Sequence, residues 1–584
     1  MPQPPQGRPR PEAMSEEELG FRPQRAVRWL DPGVLVSTGA RSLMAGVFGA
    51  YADKRELQGT LPATTHTIPG DELWFDYVAD LGDGFDATYS VASLIAAPRL
   101  DVGQTLPRGR LLVMGGDQVY PAATTEAYED RSKGLYRAAL PVAPPEAPRL
   151  FALPGNHDWY DGLTSFLRVF AQGRSIGGWA TEQTRSYFAI ELPARWWLFA
   201  VDTQFDDYVD APQLAYFRAA ASRLGTGDAV ILCTPTPAWV PAGSGGRTKA
   251  YDTIRFLMRE VIGPTGATVP LMLTGDKHHY ARYAERDGTA QRITAGLGGA
   301  YLAGTHRLPA ELVLPPAETR VPGPPATTRF DLAGRYPGQA ESVRLAAGIL
   351  RLPWRNPGFW RLTGLLQSAM TLAVLFGLAK AADPVAGGVV AQIGAWFPAV
   401  FATTLLVLGA VAFARLDLPR TGRTNAAAGV LHALAHLALS VGWAFTVRWL
   451  DRDMLPEGAT GEWLLVGVVV VLTPLLVGFL AAEVVALYLL AVNRFGINSN
   501  ELFAGQGVED HKGFLRLHIG RDGTLTVYPL KLARICRRWR PNPDGAPTEP
   551  WLLPREELAP ELIEEPIRIP RDPGGPPVTA GEAG

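Results

Sequence analysis

The chain predicts an α/β domain followed by a four-helix transmembrane region, on three observations. From about residue 25 to 312, short β-rich runs alternate with turns and helical stretches. Several of those runs end in a glycine next to an acid, amide or histidine. From about residue 359 to 493 the composition changes to four long apolar stretches, 361–380, 387–414, 426–449 and 463–492.

Taken in order, residues 1–24 ("MPQPPQGRPRPEAMSEEELGFRPQ") are Pro-rich and charged, have no apolar signal core, and are expected to be disordered. The stretch 33–51, "GVLVSTGARSLMAGVFGAY", is apolar but short for a span and carries Arg41, which predicts a buried helix. The runs "ELWFDYVAD", "GRLLVMGGD", "PRLFALPGN", "RSYFAIEL", "RWWLFAVD", "DAVILCTP" and "PLMLTGD" read as strands of the first domain, 25–312. Residues 313–358 form a Pro-rich linker. After the apolar region, 494–545 contains "GFLRLHIGRDGTLTVYPLKL", a β hairpin with its turn at Asp522-Gly523, expected to dock on the first domain. The tail, 546–584, is Pro- and acid-rich and expected to be disordered.

A bilayer core takes roughly 20 apolar residues to cross. Residues 463–492 hold a single ionisable side chain, Glu483, and read as a span. The other three stretches read likewise, with a buried helical bundle as the alternative. Trp360, Trp396, Trp443, Trp449 and Trp463 lie mostly near the ends, as interface aromatics do. Basic residues collect before the first stretch (Arg344, Arg351, Arg355, Arg361), after the second (Arg415, Arg420, Arg423) and after the fourth (Arg494, Lys512, Arg516). That asymmetry puts both termini and the first domain on the cytosolic side of a cell membrane. His432 and His436 stand one helical turn apart, and a hydrogen bond from His432 to Glu483 is expected.

A formal net charge of -2 gives no field suited to nucleic acid, and no nucleic-acid partner is expected. Two distant cysteines, Cys233 and Cys536, exclude a disulfide framework and a thiolate zinc site, and fit a reducing compartment.

The chemistry concentrates at strand ends. "FDYVAD" runs into Asp80-Leu81-Gly82-Asp83-Gly84, "LLVMG" into Gly116-Asp117-Gln118-Val119-Tyr120, "LFALP" into Gly155-Asn156-His157-Asp158, and "LMLT" into Gly275-Asp276-Lys277-His278-His279. Strand-end clusters of an α/β sheet converge on one crevice. Carboxylates, an amide oxygen, a phenol and imidazoles form a donor set for iron, manganese or zinc.

In this order, D-x-G, GD-x-x-Y, GNHD and a late G-x-x-H, the chain resembles the calcineurin-like metallophosphoesterase family over roughly 60–300. The resemblance implies two packed β-sheets flanked by helices and a two-metal site that clamps a phosphate. It also implies hydrolysis of a phosphate ester by in-line attack of metal-bound hydroxide, with His157 as general acid. Carried over residue by residue, Asp80, Asp117 and His278 would hold the first metal, and Asp117 would bridge to a second held by Asn156. Asp158 of the same motif goes with His157 as a catalytic candidate. Three positions depart from the family pattern. Gly82 stands in place of a first-motif histidine, Thr234 or Thr236 in place of another after a strand, and Asp276 in place of the first histidine of G-H-x-H. The purple acid phosphatase branch also has D-x-G, and it takes a tyrosine from GD-x-x-Y as a ligand. Tyr120 matches it, and that type of set favours iron(III). Asp276 would then serve a weakened second site; the resemblance implies two metal ions in all, Fe, Mn or Zn, one at each site. Arg174, Lys249 and Arg282 are candidate phosphate clamps.

Two readings follow. One is a membrane-tethered phosphoesterase whose substrate is a phosphoester, lipid-linked or soluble, with the bilayer as partner. The other is a regulatory membrane protein that binds metal or phosphate with little or no turnover.

Overall fold

A computed structural model describes residues 10–48, 58–203, 208–246, 248–321, 327–381, 388–416 and 422–571. The chain divides into two compact units. One takes the residues up to 27, 38–339 and those from 508 onward; the other takes 28–37 and 340–507.

The first unit is built on two large mixed sheets, of nine and eight strands among the described residues. In the larger, Trp196–Ala200, Ala229–Cys233, Thr268–Thr274 and Gln291–Ala295 run parallel, and Tyr280–Glu285 and Thr328–Tyr336 extend it antiparallel. In the smaller, Leu73–Val78, Leu111–Met114 and Arg149–Ala152 run parallel. Parallel strands covered on both faces are apolar throughout rather than alternating; "LLVM" and "AVILC" are buried at every position. The helices Phe85–Ala96 and Thr164–Phe170 pack on the smaller sheet, and Ala211–Ala221 and Lys249–Leu257 on the larger. Between the sheets, the rings of Phe151 and Phe188 lie 5.1 Å apart.

The smaller sheet is completed from the far end of the chain. Lys512–Ile519 pairs antiparallel with Leu73–Val78 on one edge and with Leu525–Leu532 on the other. The hairpin between these last two turns at Asp522-Gly523, where the Asp522 carboxylate accepts from the Thr524 N–H and Gly523 has φ 82°. Arg516 faces Asp76 across the strands, with Nε–Oδ1 at 2.8 Å and Nη2–Oδ2 at 3.2 Å, both side chains fully buried. Two further N–H groups reach the carbonyls of Leu106 and Ile95. A charge pair buried in this way is tolerable because four of the five guanidinium N–H groups have acceptors.

Four expectations need correction. Residues 546–571 of the tail are not disordered: Leu552–Pro554 pairs with Trp539–Pro541, and Ile567–Ile569 with Leu525–Leu532. Trp551, Leu552 and Ile569 are buried and anchor this segment. Residues 10–24 are likewise built in. Ser15 caps a short helix, Glu16–Leu19, and the Arg10 guanidinium donates to carbonyls of Asn542 and Glu549; residues 1–9 and 572–584 lie outside the described residues. The expected linker contributes the strand Thr328–Tyr336, which pairs with both Tyr280–Glu285 and Glu311–Leu314. The apolar stretch after residue 32 is a helix, Pro32–Phe48, but it is not buried: Val36 and Leu43 are 74% and 70% exposed.

Among its described residues the second unit carries four helices long and apolar enough to cross a membrane: Pro357–Ala381, Val389–Phe413, Gly422–Met454 and Ala459–Phe495. Arg420, one of the residues used for orientation, lies outside the described residues. The first and fourth approach closely, since a Cβ on Gly478 would stand 2.5 Å from the Gly364 Cα. Near Pro474, where the fourth helix widens, the Trp360 indole donates to the Leu475 carbonyl at 2.9 Å, and the Thr363 hydroxyl to that of Gly478 at 2.8 Å. Neighbouring side chains thus serve backbone that a proline disturbs.

The expected bond between His432 and Glu483 does not form. His432 Nε2 instead lies 3.1 Å from His436 Nε2, and its ring stacks on Tyr488 at 4.0 Å. The Gln367 amide donates to His436 Nδ1 at 3.0 Å, and the Ser440 hydroxyl donates to the Gln367 amide oxygen. An amide N–H can only donate, so His436 carries its proton on Nε2 and gives it to His432. Depth along two helices places residues at one level; rotation about each axis decides which face each other.

Candidate metal centre

Asp80, Asp117 and Asp276 each end a strand in left-handed backbone, with φ of 58°, 49° and 66°. Asp tolerates this conformation better than most side chains, and such outliers cluster at functional sites. The turns are locked together by backbone bonds: Asp80 N–H to the Gly116 carbonyl at 2.9 Å, Leu81 N–H to Asp117 at 3.0 Å, and Ala300 N–H to Asp80 at 2.8 Å. Gly82 belongs to this lock. A Cβ there would stand 2.2 Å from the Gln118 carbonyl oxygen, so the glycine that departs from the common first motif is required by the close approach of its neighbour.

Tyr120 stands at the centre. Its hydroxyl is 3.1 Å from Asp80 Oδ1, 3.2 Å from Asp117 Oδ2 and 3.1 Å from His278 Nε2. The structure therefore brings together the four residues predicted for a first metal, all of them buried. Asp276 joins them through its backbone N–H, which donates to Asp80 Oδ1 at 3.1 Å, while its carboxylate pairs with Lys277 at 2.9 Å. Asn156 opens a short helix, Asn156–Trp159, and its amide nitrogen donates to the Tyr160 hydroxyl at 3.2 Å, which leaves the amide oxygen as its ligand atom.

The electrostatics of this cluster are those of a site short of positive charge. Burial, then the neighbouring carboxylates of Asp117 and Asp276, push Asp80 well above the usual carboxylate range. Burial also raises Asp117, with Asp276 adding to it and His157 opposing. Tyr120 is pushed up by burial and by both aspartates, and His278 is pushed well down by burial and Lys277. Asp80 Oδ2 and His278 Nδ1 have no hydrogen-bond partner among the described residues. Two carboxylates, a phenol and an imidazole with these features fit a hard cation. Among the described residues there is no group of three or more His, Cys, Asp and Glu side chains placed to hold a metal ion.

His157 stands beside this cluster. Its backbone N–H donates to Asp117 Oδ1 at 2.9 Å, and its ring lies 4.4 Å from that of Tyr120. Nδ1 is 2.7 Å from the Pro121 carbonyl, an acceptor only, so Nδ1 carries a proton and Nε2 is the nitrogen that exchanges one.

One oxygen of Asp158 accepts from the Gly155 N–H at 2.8 Å and the Gln118 N–H at 3.3 Å; the other accepts from the Tyr128 hydroxyl. Both oxygens are engaged in holding loops together. Arg282 is not a phosphate clamp: its guanidinium grips Glu564 at 2.9 and 2.5 Å. Thr234 is buried, its hydroxyl donating to the Thr236 carbonyl at 3.2 Å.

Sequence reasoning passed over the loop 296–301. Tyr301 sets its ring 4.4 Å from that of His278, and its N–H donates to Asp83 Oδ2 at 3.2 Å. A Cβ on Gly296 would stand 2.1 Å from Asp80 Oδ2. The signal was present as "GLGGAY", a glycine-rich run directly after a strand. Lys512, on the returning strand, is buried near Asp83, and burial lowers it to about 8.

No family model and no curated protein matches this chain. Among solved structures it is similar to "GAP50 the anchor in the inner membrane complex of Plasmodium", at 11% identity and a TM-score of 0.31, over 47% of this chain and 93% of that one. A likeness at that level carries no argument about either protein.

Proposed function

We propose that this chain is a membrane-attached, metal-dependent phosphoesterase of the calcineurin-like type. The observation that supports it is the Tyr120 hydroxyl within 3.2 Å of Asp80, Asp117 and His278. Asp80, Asp117, Tyr120 and His278 would hold one cation, with Asp117, Asn156 and Asp276 available to a second, weaker one. A bound cation supplies Lewis-acid charge where a phosphate is held. The chain's own residues do the rest. Asp117 fixes the GNHD loop through the His157 N–H, and the Pro121 carbonyl fixes the imidazole tautomer. His157 Nε2 is then the atom that protonates a leaving oxygen. The four apolar helices attach this site to a membrane, with the site in the cytosol by the distribution of Arg and Lys.

Metal content and the visible spectrum of the purified protein test the reading. Iron with a tyrosinate charge-transfer band that disappears in Tyr120→Phe is the expected result. Two equivalents of manganese or zinc without colour would keep the phosphoesterase and remove Tyr120 as a ligand. No retained metal, even after reconstitution, would overturn the reading.

A second reading, a metal- or phosphate-binding regulator without turnover, is favoured by the second-metal side of the site. There Asp276 is paired with Lys277, and Thr234 is turned to its own loop. His157→Gln separates the two, because an enzyme loses turnover and keeps metal, whereas a binder has no turnover to lose.

A further inference from the structure

The helix Pro32–Phe48 carries an exposed apolar stripe, with Ser37 exposed beside it. Leu35, Val36, Gly39, Ala40, Leu43 and Met44 are all exposed. At 100° per residue these six fall within one half of the helix circumference, while Ser37, Thr38 and Arg41 fall in the other. Val36, Leu43, Met44 and Leu35 are 74%, 70%, 55% and 42% exposed. A water-facing helix shows its polar half to solvent; a contiguous apolar stripe of this kind marks a surface made for another apolar phase.

The start of the helix says which phase. Residues 28–37 belong to the same compact unit as the four apolar helices. The Asp31 carboxylate accepts from the Gly33 N–H at 3.0 Å, closing the first turn. A Cβ on Gly358, the second residue of the first membrane-length helix, would stand 2.2 Å from Asp31 Oδ2 and 3.3 Å from Pro32 Cδ. The helix therefore begins against the residue where that helix begins. Aromatic rings mark the same level: Trp354, 64% exposed, and Trp360 lie 4.9 and 5.6 Å from the Phe479 ring. Exposed tryptophans at the ends of apolar helices belong at a membrane interface. Leu35 and Val36 thus follow a helix start set beside a helix whose own Leu365 and Leu366 are 67% and 59% exposed, an apolar surface suited to lipid.

We infer that Pro32–Phe48 is a membrane-associated helix whose Leu35–Met44 stripe contacts lipid acyl chains. It is a fifth membrane element, too short and too polar on one half to span, lying at the boundary as amphipathic anchors do. The membrane attachment of this chain then precedes its strand-end site in sequence as well as following it.

The test uses the full chain in nanodiscs of phosphatidylcholine and phosphatidylglycerol. Both native cysteines, Cys233 and Cys536, are buried, so a nitroxide can be directed to single new positions. Val36→Cys and Leu43→Cys are compared with Leu366→Cys on the first membrane-length helix and with Glu17→Cys, which is exposed in the other unit. The readout is collision with molecular oxygen, which concentrates in lipid, against collision with a water-soluble nickel chelate. The expected result is an oxygen-to-nickel ratio at 36 and 43 several-fold above that at 17 and close to that at 366. Free access of nickel to 36 and 43 would overturn the inference in favour of water. Protection from both reagents would overturn it in favour of a protein cover, either a second copy or another chain. Nickel access at 366 would remove the membrane-spanning reading and this inference together.

Discussion

Two buried polar clusters, one in each unit, follow opposite rules. In the helical unit, Ser440, Gln367, His436 and His432 form a neutral chain on regular helices, each donor matched to an acceptor down to His432 Nε2. At the strand ends, three aspartates stand in left-handed backbone, two of them share one phenol, and an oxygen of Asp80 has no partner among the described residues. The first cluster is neutral, and its one loose end is His432 Nδ1, which has no partner among the described residues. The second is stable only as part of something with positive charge, because buried like charges favour a cation or a proton. Polar burial by itself therefore says little about function; whether the cluster is chemically closed says more.

Arg516 gives the sharpest test of that distinction, since its pair with Asp76 is buried and charged like the strand-end cluster, yet its opposite charges compensate each other. Arg516→Ala should cost about 3–5 kcal/mol, because it strands a buried carboxylate. Chemical denaturation of the metal-free protein reads it, and a loss under about 1 kcal/mol would mean that closure does not set the energy here.

Asp80→Asn should do the reverse. Metal affinity should fall by more than about 100-fold, since even partners outside the ligand shell cost that much, while the metal-free protein becomes more stable. The pH dependence supplies the sign. The folded value of Asp80 is raised above the unfolded one, so the folded form holds a proton that the unfolded chain has already lost. The stability of metal-free protein should therefore fall as pH rises from the ordinary carboxylate range through the raised folded value. Asp80→Asn should flatten that slope. A metal-free protein that instead gains stability over this range would show the aspartates to be compensated by other groups.

The smallest effect belongs to the neutral chain. Gln367→Leu leaves His436 Nδ1 without its donor, while Ser440 keeps the His436 carbonyl at 3.1 Å, and should cost about 1 kcal/mol within a membrane. Metal content should not change. A variant that lost metal would join the two clusters functionally and end the contrast.

The candidate site was legible because each of its residues sits within a few positions of a glycine near a strand end. Tyr120 was legible from its three-residue spacing to Asp117, and its hydroxyl lies where that spacing directs it. The motif carries Asp158 next to His157, yet adjacent residues on a helical turn point apart. What the sequence hid depended on distant pairing. No local pattern joins Asp76 to Arg516, or Arg282 to Glu564. The tail reads as disordered because proline and acid dominate it, while Trp551, Leu552 and Ile569 find their burial on strands elsewhere in the chain. The helix Pro32–Phe48 was legible as a helix, but composition alone does not tell a core-facing apolar stripe from an outward-facing one.

The position of Lys512–Ile519 inside the smaller sheet, beside Leu73–Val78, also sets an order of events during synthesis. Leu73–Val78, whose end carries Asp80, leaves the ribosome 434 residues before its neighbour begins (512 − 78). At about 5–20 residues per second, that is on the order of tens of seconds during which the strand has an open edge. All four apolar helices are made in that interval. The sheet edge behind Asp80 is thus completed only after all four apolar helices have been made.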